Sequence, residues 1–251
     1  MVRPEVVGAL PVTSSIHSTL GFKFSVHTGL EFPACQQCNN ETGRSDLVAA
    51  MLARVMPHAD SSVHRKDLTK ILSAVSNNAP GLLREMNVSR GAEKLARKQL
   101  GIPEDMHPLR ADGPILSAHI LTFAAKLGFA LHYEVNGTPI PVGGGAQVIW
   151  FSNVQAMRGQ IPQELFSLLP SPATLQQGRK TAGEQFQYSF ARGEREHMLY
   201  FASFSQSSAV AGVAATDRSI WLEANADRFP IFRPGSFGRR VRGESAAPRR
   251  A

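Results

Sequence analysis

The sequence predicts an α+β fold: N-terminal helices with a long buried helix, followed by an antiparallel β-meander. Three observations carry this prediction. Apolar residues recur at helical spacing from about residue 45 to residue 100. A nearly unbroken apolar run, Ile115 to Leu131, is too long for a strand. After residue 186 the period changes to two, with Phe186, Tyr188 and Phe190 alternating with polar residues, then Met198, Tyr200, Ala202 and Phe204 doing the same.

The elements follow in order. Residues 1–30 are broken by Pro4, Gly8, Pro11, Gly21 and Gly29, and Phe22, Phe24 and Val26 alternate like a short strand. A helix is expected from Ser45, which can cap it, with Asp46 in its first turn and Leu47, Val48, Met51, Leu52 and Val55 as its apolar stripe. Pro57 ends it. A second helix is expected over Val63 to Ser76 and is broken by Asn77-Asn78-Ala79-Pro80-Gly81. Leu82 to Met86 and Gly91 to Leu100 read as two more, the latter stopped by Gly101 and Pro103. Gly113-Pro114 opens the long helix, expected to reach Glu134 as the central core element. Asn136-Gly137 turns the chain, and Gly143-Gly144-Gly145 reads as a flexible loop. Val148 to Phe151 is a compact strand and Pro162 to Leu169 a short helix. The Arg192-Gly193-Glu194 turn joins the two alternating strands, and a further strand is expected over Ala209 to Ala214.

Composition limits the function classes. The chain has 251 residues, 43% hydrophobic and 19% charged, enough to bury a core without cross-links. The net charge is +7, but residues 228–251 hold seven arginines against the single acid Glu244, which leaves the rest near neutral. Such a body has no evident basic footprint for nucleic acid, although an arginine-rich tail can touch phosphates without sequence preference. We divide the chain into a Cys-x-x-Cys segment (1–56), an α+β body forming one domain with it (57–227), and a basic, disordered tail (228–251). No secretory signal is expected, because Gly8 and Pro11 interrupt the first apolar stretch. His119, Thr122 and Lys126 interrupt the long apolar run, so a core helix is expected there and no membrane span. The two cysteines fit a reducing, cytoplasmic setting.

Chemistry concentrates in Cys35-Gln36-Gln37-Cys38-Asn39-Asn40. Two cysteines three apart at a turn can aim both sulfurs at one tetrahedral zinc. Four ligands are required, and His17, His27, His58 and His64 are the nearest that could complete the set. Two plain, buried cysteines are the competing reading. A redox pair of the thioredoxin kind is expected just before a helix in a βαβ context, and the pattern offers no such context. His119 and Lys126 share a helix face two turns apart. They either line a pocket with Glu134 or mark a solvent edge. Gly178-Arg179-Lys180-Thr181 lacks the spacing of a phosphate loop and reads as a basic turn. No Gly-x-Ser-x-Gly or His-Glu-x-x-His occurs, so neither a serine hydrolase nor a zincin is supported.

The stretch Leu30-Glu31-Phe32-Pro33-Ala34-Cys35-Gln36-Gln37-Cys38-Asn39, followed by a polar turn and a helix, resembles the end of the HNH-endonuclease motif. The resemblance implies a remnant of a ββα-metal unit near the N-terminus. It implies structural zinc on Cys35 and Cys38, and Asn39 at the motif's last position. His17, 18 residues before Cys35, would take the water-activating role, with a divalent ion such as magnesium and DNA as substrate. The sequence departs from the motif in three places. Ile16 and Ser18 flank His17 where the family has a carboxylate. Leu30 and Glu31 stand where an asparagine is expected. The first Cys-x-x-Cys pair is missing. A chain that has lost its N-terminal half, or a degenerate relative, would have these departures, and little nuclease activity is expected of either. The rival expectation is a non-catalytic structural or partner-binding protein.

Overall fold

The computed structural model describes residues 12–13, 33–55, 62–102, 104, 107–157, 159–170, 173–174, 176–177, 180–181, 186–193, 197–204, 208–221 and 229–237. It is an α+β protein in which helices precede an antiparallel sheet. Two short strands, β1 (Val12–Thr13) and β2 (Pro33–Ala34), pair antiparallel and lead into helix α1 (Gln36–Leu52). Helices α2 (Ser62–Asn78), α3 (Leu82–Glu85), α4 (Arg90–Leu100) and α5 (Pro114–Asn136) follow. Then come β3 (Gly145–Ser152), α6 (Asn153–Met157) and α7 (Gln163–Leu168). The remaining elements are β4 (Ala173–Thr174), β5 (Gln176–Gln177), β6 (Lys180–Thr181), β7 (Gln187–Arg192), β8 (His197–Phe204), β9 (Ser208–Ala215) and β10 (Ile231–Phe232).

The main sheet has the order β10-β3-β9-β8-β7-β4, antiparallel throughout. The meander expected from the period-two pattern is its centre, β7-β8-β9. Along β8, Met198, Tyr200, Ala202 and Phe204 are buried and the residues between them are half-buried, as alternation dictates. β5 and β6 pair antiparallel with each other, and residues 178–179, expected to form a basic turn, lie outside the described residues.

Helix α5 lies between this sheet and α1, in contact with β3, β9 and α1. Its length and composition would suffice to cross a membrane, but 72% of its most apolar window is buried inside the protein. That burial comes from packing on two sides. Pro114 at its first turn and Gly137 at its end, in the left-handed conformation at φ 70°, set its limits. The carboxylate of Glu85, on α3, accepts from the N–H groups of Ile115 (3.0 Å) and Leu116 (2.8 Å), so two otherwise orphaned donors at the start of α5 are satisfied. At its middle, Gly128 lets the sheet approach. The fully buried Tyr200 of β8 donates its hydroxyl to the Ala124 carbonyl at 2.7 Å, and a Cβ on Gly128 would lie 2.7 Å from the Tyr200 ring. Opposite, Tyr200 pairs with Gly212 of β9, where a side chain would also meet the hydroxyl.

Three expectations are corrected. Helix α1 starts nine residues earlier than Ser45, because Cys35 caps it: its sulfur accepts from the Cys38 N–H at 3.1 Å. Gly144 and Gly145 are buried and packed, since a Cβ on Gly144 would meet the Ala215 carbonyl at 2.5 Å. Finally, residues 229–237 of the basic segment are folded. β10 pairs with β3, Arg233 donates to the carbonyls of Gly143 and Gly144, and Phe237 packs edge-on against Phe129. The strand expected around Phe22 to Val26 and residues 238–251 lie outside the described residues.

Gly128→Ala should therefore lower stability by about 1–3 kcal/mol, as inserted carbon in a packed core does. Chemical denaturation would measure it, and an unchanged midpoint would contradict the close helix–sheet approach.

Candidate functional site

The cysteine pair sits where β2 meets α1. Cys35 is the N-cap, in extended conformation, and Cys38 is in the first turn, half-buried against the core. The two sulfurs are 2.7 Å apart. Burial and the hydrogen bond with Cys35 push the Cys38 thiol up to about 11, while hydrogen bonding from the Gly235 backbone pulls the other way. The C-terminal turn after β10 therefore touches the N-terminal cysteine pair. Asn39 closes the first helical hydrogen bond, donating its N–H to the Cys35 carbonyl at 3.0 Å.

Along the face that begins with Cys38, Thr42, Ser45 and Ala49 are buried at three- and four-residue steps. Polar residues on such a face require partners: Thr42 Oγ1 donates to the Asn39 carbonyl at 3.2 Å, and α5 supplies the partner of Ser45. Ser45 Oγ and His119 Nδ1 share a hydrogen bond at 3.1 Å. Lys126 Nζ lies 2.5 Å from Asp46 Oδ2 and 3.4 Å from Asn39 Oδ1. Side-chain exposure is 4% for Lys126 and 13% for Asp46, so the ion pair is largely out of water. Burial pushes the Asp46 carboxyl above the ordinary carboxylate range, and the Lys126 ammonium pulls it back. Asp46 Oδ1 is buried and has no hydrogen-bond partner among the described residues.

His119 and Lys126 are thus neither a solvent edge nor a pocket with Glu134. Both are buried, while Glu134 is exposed. Sequence reasoning missed Ser45 and Asp46 as their partners because it assigned both to a helix start. A lysine in an apolar helix was the available signal, since such a cation requires a nearby acid. The structure brings Cys35, Cys38, Asn39, Asp46 and Lys126 into one neighbourhood. His17, His27 and His58 lie outside the described residues, as does the side chain of His64.

The donor chemistry fits zinc in part. Two thiols supply half a tetrahedral set, and their sulfurs would have to part to about 3.8 Å to span bonds of 2.3 Å. Among the described residues no group of three or more His, Cys, Asp or Glu side chains could hold a metal. A magnesium ion on Asn39 does not fit. Its Oδ1 faces the Lys126 ammonium, and the Asp46 carboxylate is paired with that same ammonium. Comparison with protein-family models, curated proteins and solved structures finds no match to this chain.

The His119 environment sets a pH dependence. Burial holds its imidazole below the ordinary value, Arg44 adds to the shift, and Glu85 opposes it. The unfolded chain therefore takes up this proton more readily than the folded one. The contribution is intact above about 6.5 and is lost as pH falls through the lowered folded value. The thermal midpoint should fall between about pH 7 and pH 5, and His119→Gln should flatten that slope. Equal slopes in both proteins would show that His119 is not the titrating group.

Proposed function

We propose that this chain is an HNH-endonuclease-like protein that binds nucleic acid and uses Cys35 and Cys38 as two ligands of a structural zinc. One observation carries the reading. A pair of short strands runs directly into a helix with Cys35 at the junction and Asn39 in the first turn. This is the order of elements that a ββα unit requires, and the segment that joins the strands contains His17. DNA is the proposed ligand and a cytoplasmic setting is part of the same reading. The remaining zinc ligands would come from outside the described residues.

A second reading, a non-catalytic structural or partner-binding protein, has its own support. Lys126 already engages the Asn39 carboxamide oxygen, and a divalent ion there would face an ammonium. Magnesium-dependent cleavage is accordingly expected to be weak.

Protein purified without added metal should contain about one zinc per chain, lost in Cys35→Ser. It should bind duplex DNA with an affinity that falls as salt rises. Folded protein with neither zinc nor DNA affinity would leave the partner-binding reading. Magnesium-dependent plasmid nicking that disappears in Asn39→Ala would establish a catalytic role for Asn39 and refute the non-catalytic reading.

A further inference from the structure

We propose that Cys35 and Cys38 form a reversible dithiol–disulfide couple that exchanges with small or protein disulfides. This goes beyond the nuclease reading and does not depend on it. The pair sits directly before a helix, at a strand-to-helix junction, although α1 is followed by α2 and not by the strand of a βαβ unit. The two sulfurs stand 2.7 Å apart, well inside the contact of two non-bonded sulfurs, and a disulfide bond is about 2.05 Å. Closure therefore requires a small movement within one helical turn. Both cysteines are partly exposed, so a disulfide substrate can reach them. Each sulfur also has a backbone partner: the Cys38 N–H donates to Cys35 Sγ, and the Gly235 backbone hydrogen-bonds to Cys38 Sγ.

The two sulfurs differ in environment, and that assigns the roles. Cys35 caps the helix with its sulfur at the N-terminal end of α1. Cys38 lies one turn in, packed against the core. Cys35 is then the attacking sulfur and Cys38 the resolving one. The Cys35 thiolate attacks one sulfur of an external disulfide, forming a mixed disulfide and releasing one thiolate. Cys38 loses its proton to the medium and attacks Cys35 Sγ, expelling the second thiolate. Two cysteine thiols are oxidised by two electrons to one intramolecular disulfide, and the external disulfide is reduced to two thiols. Zinc bound by the same sulfurs would block the reaction until it is removed.

The test is incubation of the full chain with glutathione disulfide, with and without a chelator, followed by intact-mass analysis and thiol titration. The wild type should lose two hydrogens and both thiols and retain no glutathione. Cys38→Ser should stop at one glutathione adduct on Cys35. Closure only after chelation supports both the couple and the zinc reading. Stable glutathione adducts on the wild type, or thiols that fail to react even with chelator while the urea-unfolded chain reacts, would overturn the couple and leave the zinc reading to its own test.

Discussion

A cation inside a helix that is buried on two sides constrains this fold more than any other feature. Lys126 stands in the middle of α5, with the sheet on one flank and α1 on the other. An uncompensated ammonium there would cost several kcal/mol, on the order of 3–5. Asp46 compensates it, and can do so only if α1 packs on α5 in one register. The Ser45–His119 hydrogen bond pins the same register at a second point. That register places the first turn of α1, with Cys35, Cys38 and Asn39, against the core.

The sheet side of α5 is set by different physics. There the contact is close and mostly apolar, made by Gly128, Tyr200 and Gly212, which leave no room for added side chains. Small residues allow the approach, and a single hydroxyl satisfies itself on the helix backbone. The end of the described chain then completes the assembly. β10 lengthens the sheet beside β3, Phe237 joins the core, and the turn between them brings Gly235 to Cys38. The N-terminal cysteines and the C-terminal turn thus form one corner of the molecule.

Much of this was legible from spacing alone. The alternation of Phe186 to Phe204 gave the meander, and Gly101 and Gly137 marked helix ends that do adopt left-handed backbone. Other parts were not legible because they depend on distant partners. The polar run Gln36 to Arg44 carries little helical signal, and it is helical because Cys35 caps it and its buried face meets α5. Gly143-Gly144-Gly145 reads as loose until Ala215 and Phe232 are seen against it. The arginine-rich segment reads as tail until Arg233 finds the carbonyls of Gly143 and Gly144. At the site, the cysteines and Asn39 stood out by type, but Asp46 and Lys126 are 80 positions apart and only the fold joins them. The HNH resemblance rests on Cys35, Cys38 and Asn39, with its proposed base, His17, outside the described residues.

The most direct measurement is a double-mutant cycle on the ion pair that joins α1 to α5. The unfolding free energy would be measured for the wild type, Asp46→Asn, Lys126→Met and the double variant. Each single change should cost about 3–5 kcal/mol, as broken buried pairs do. The double variant should then cost less than their sum, by a coupling of about 1–3 kcal/mol. Simple additivity would contradict the account: Asp46 and Lys126 would then act independently, and the register of α1 on α5 would need another cause.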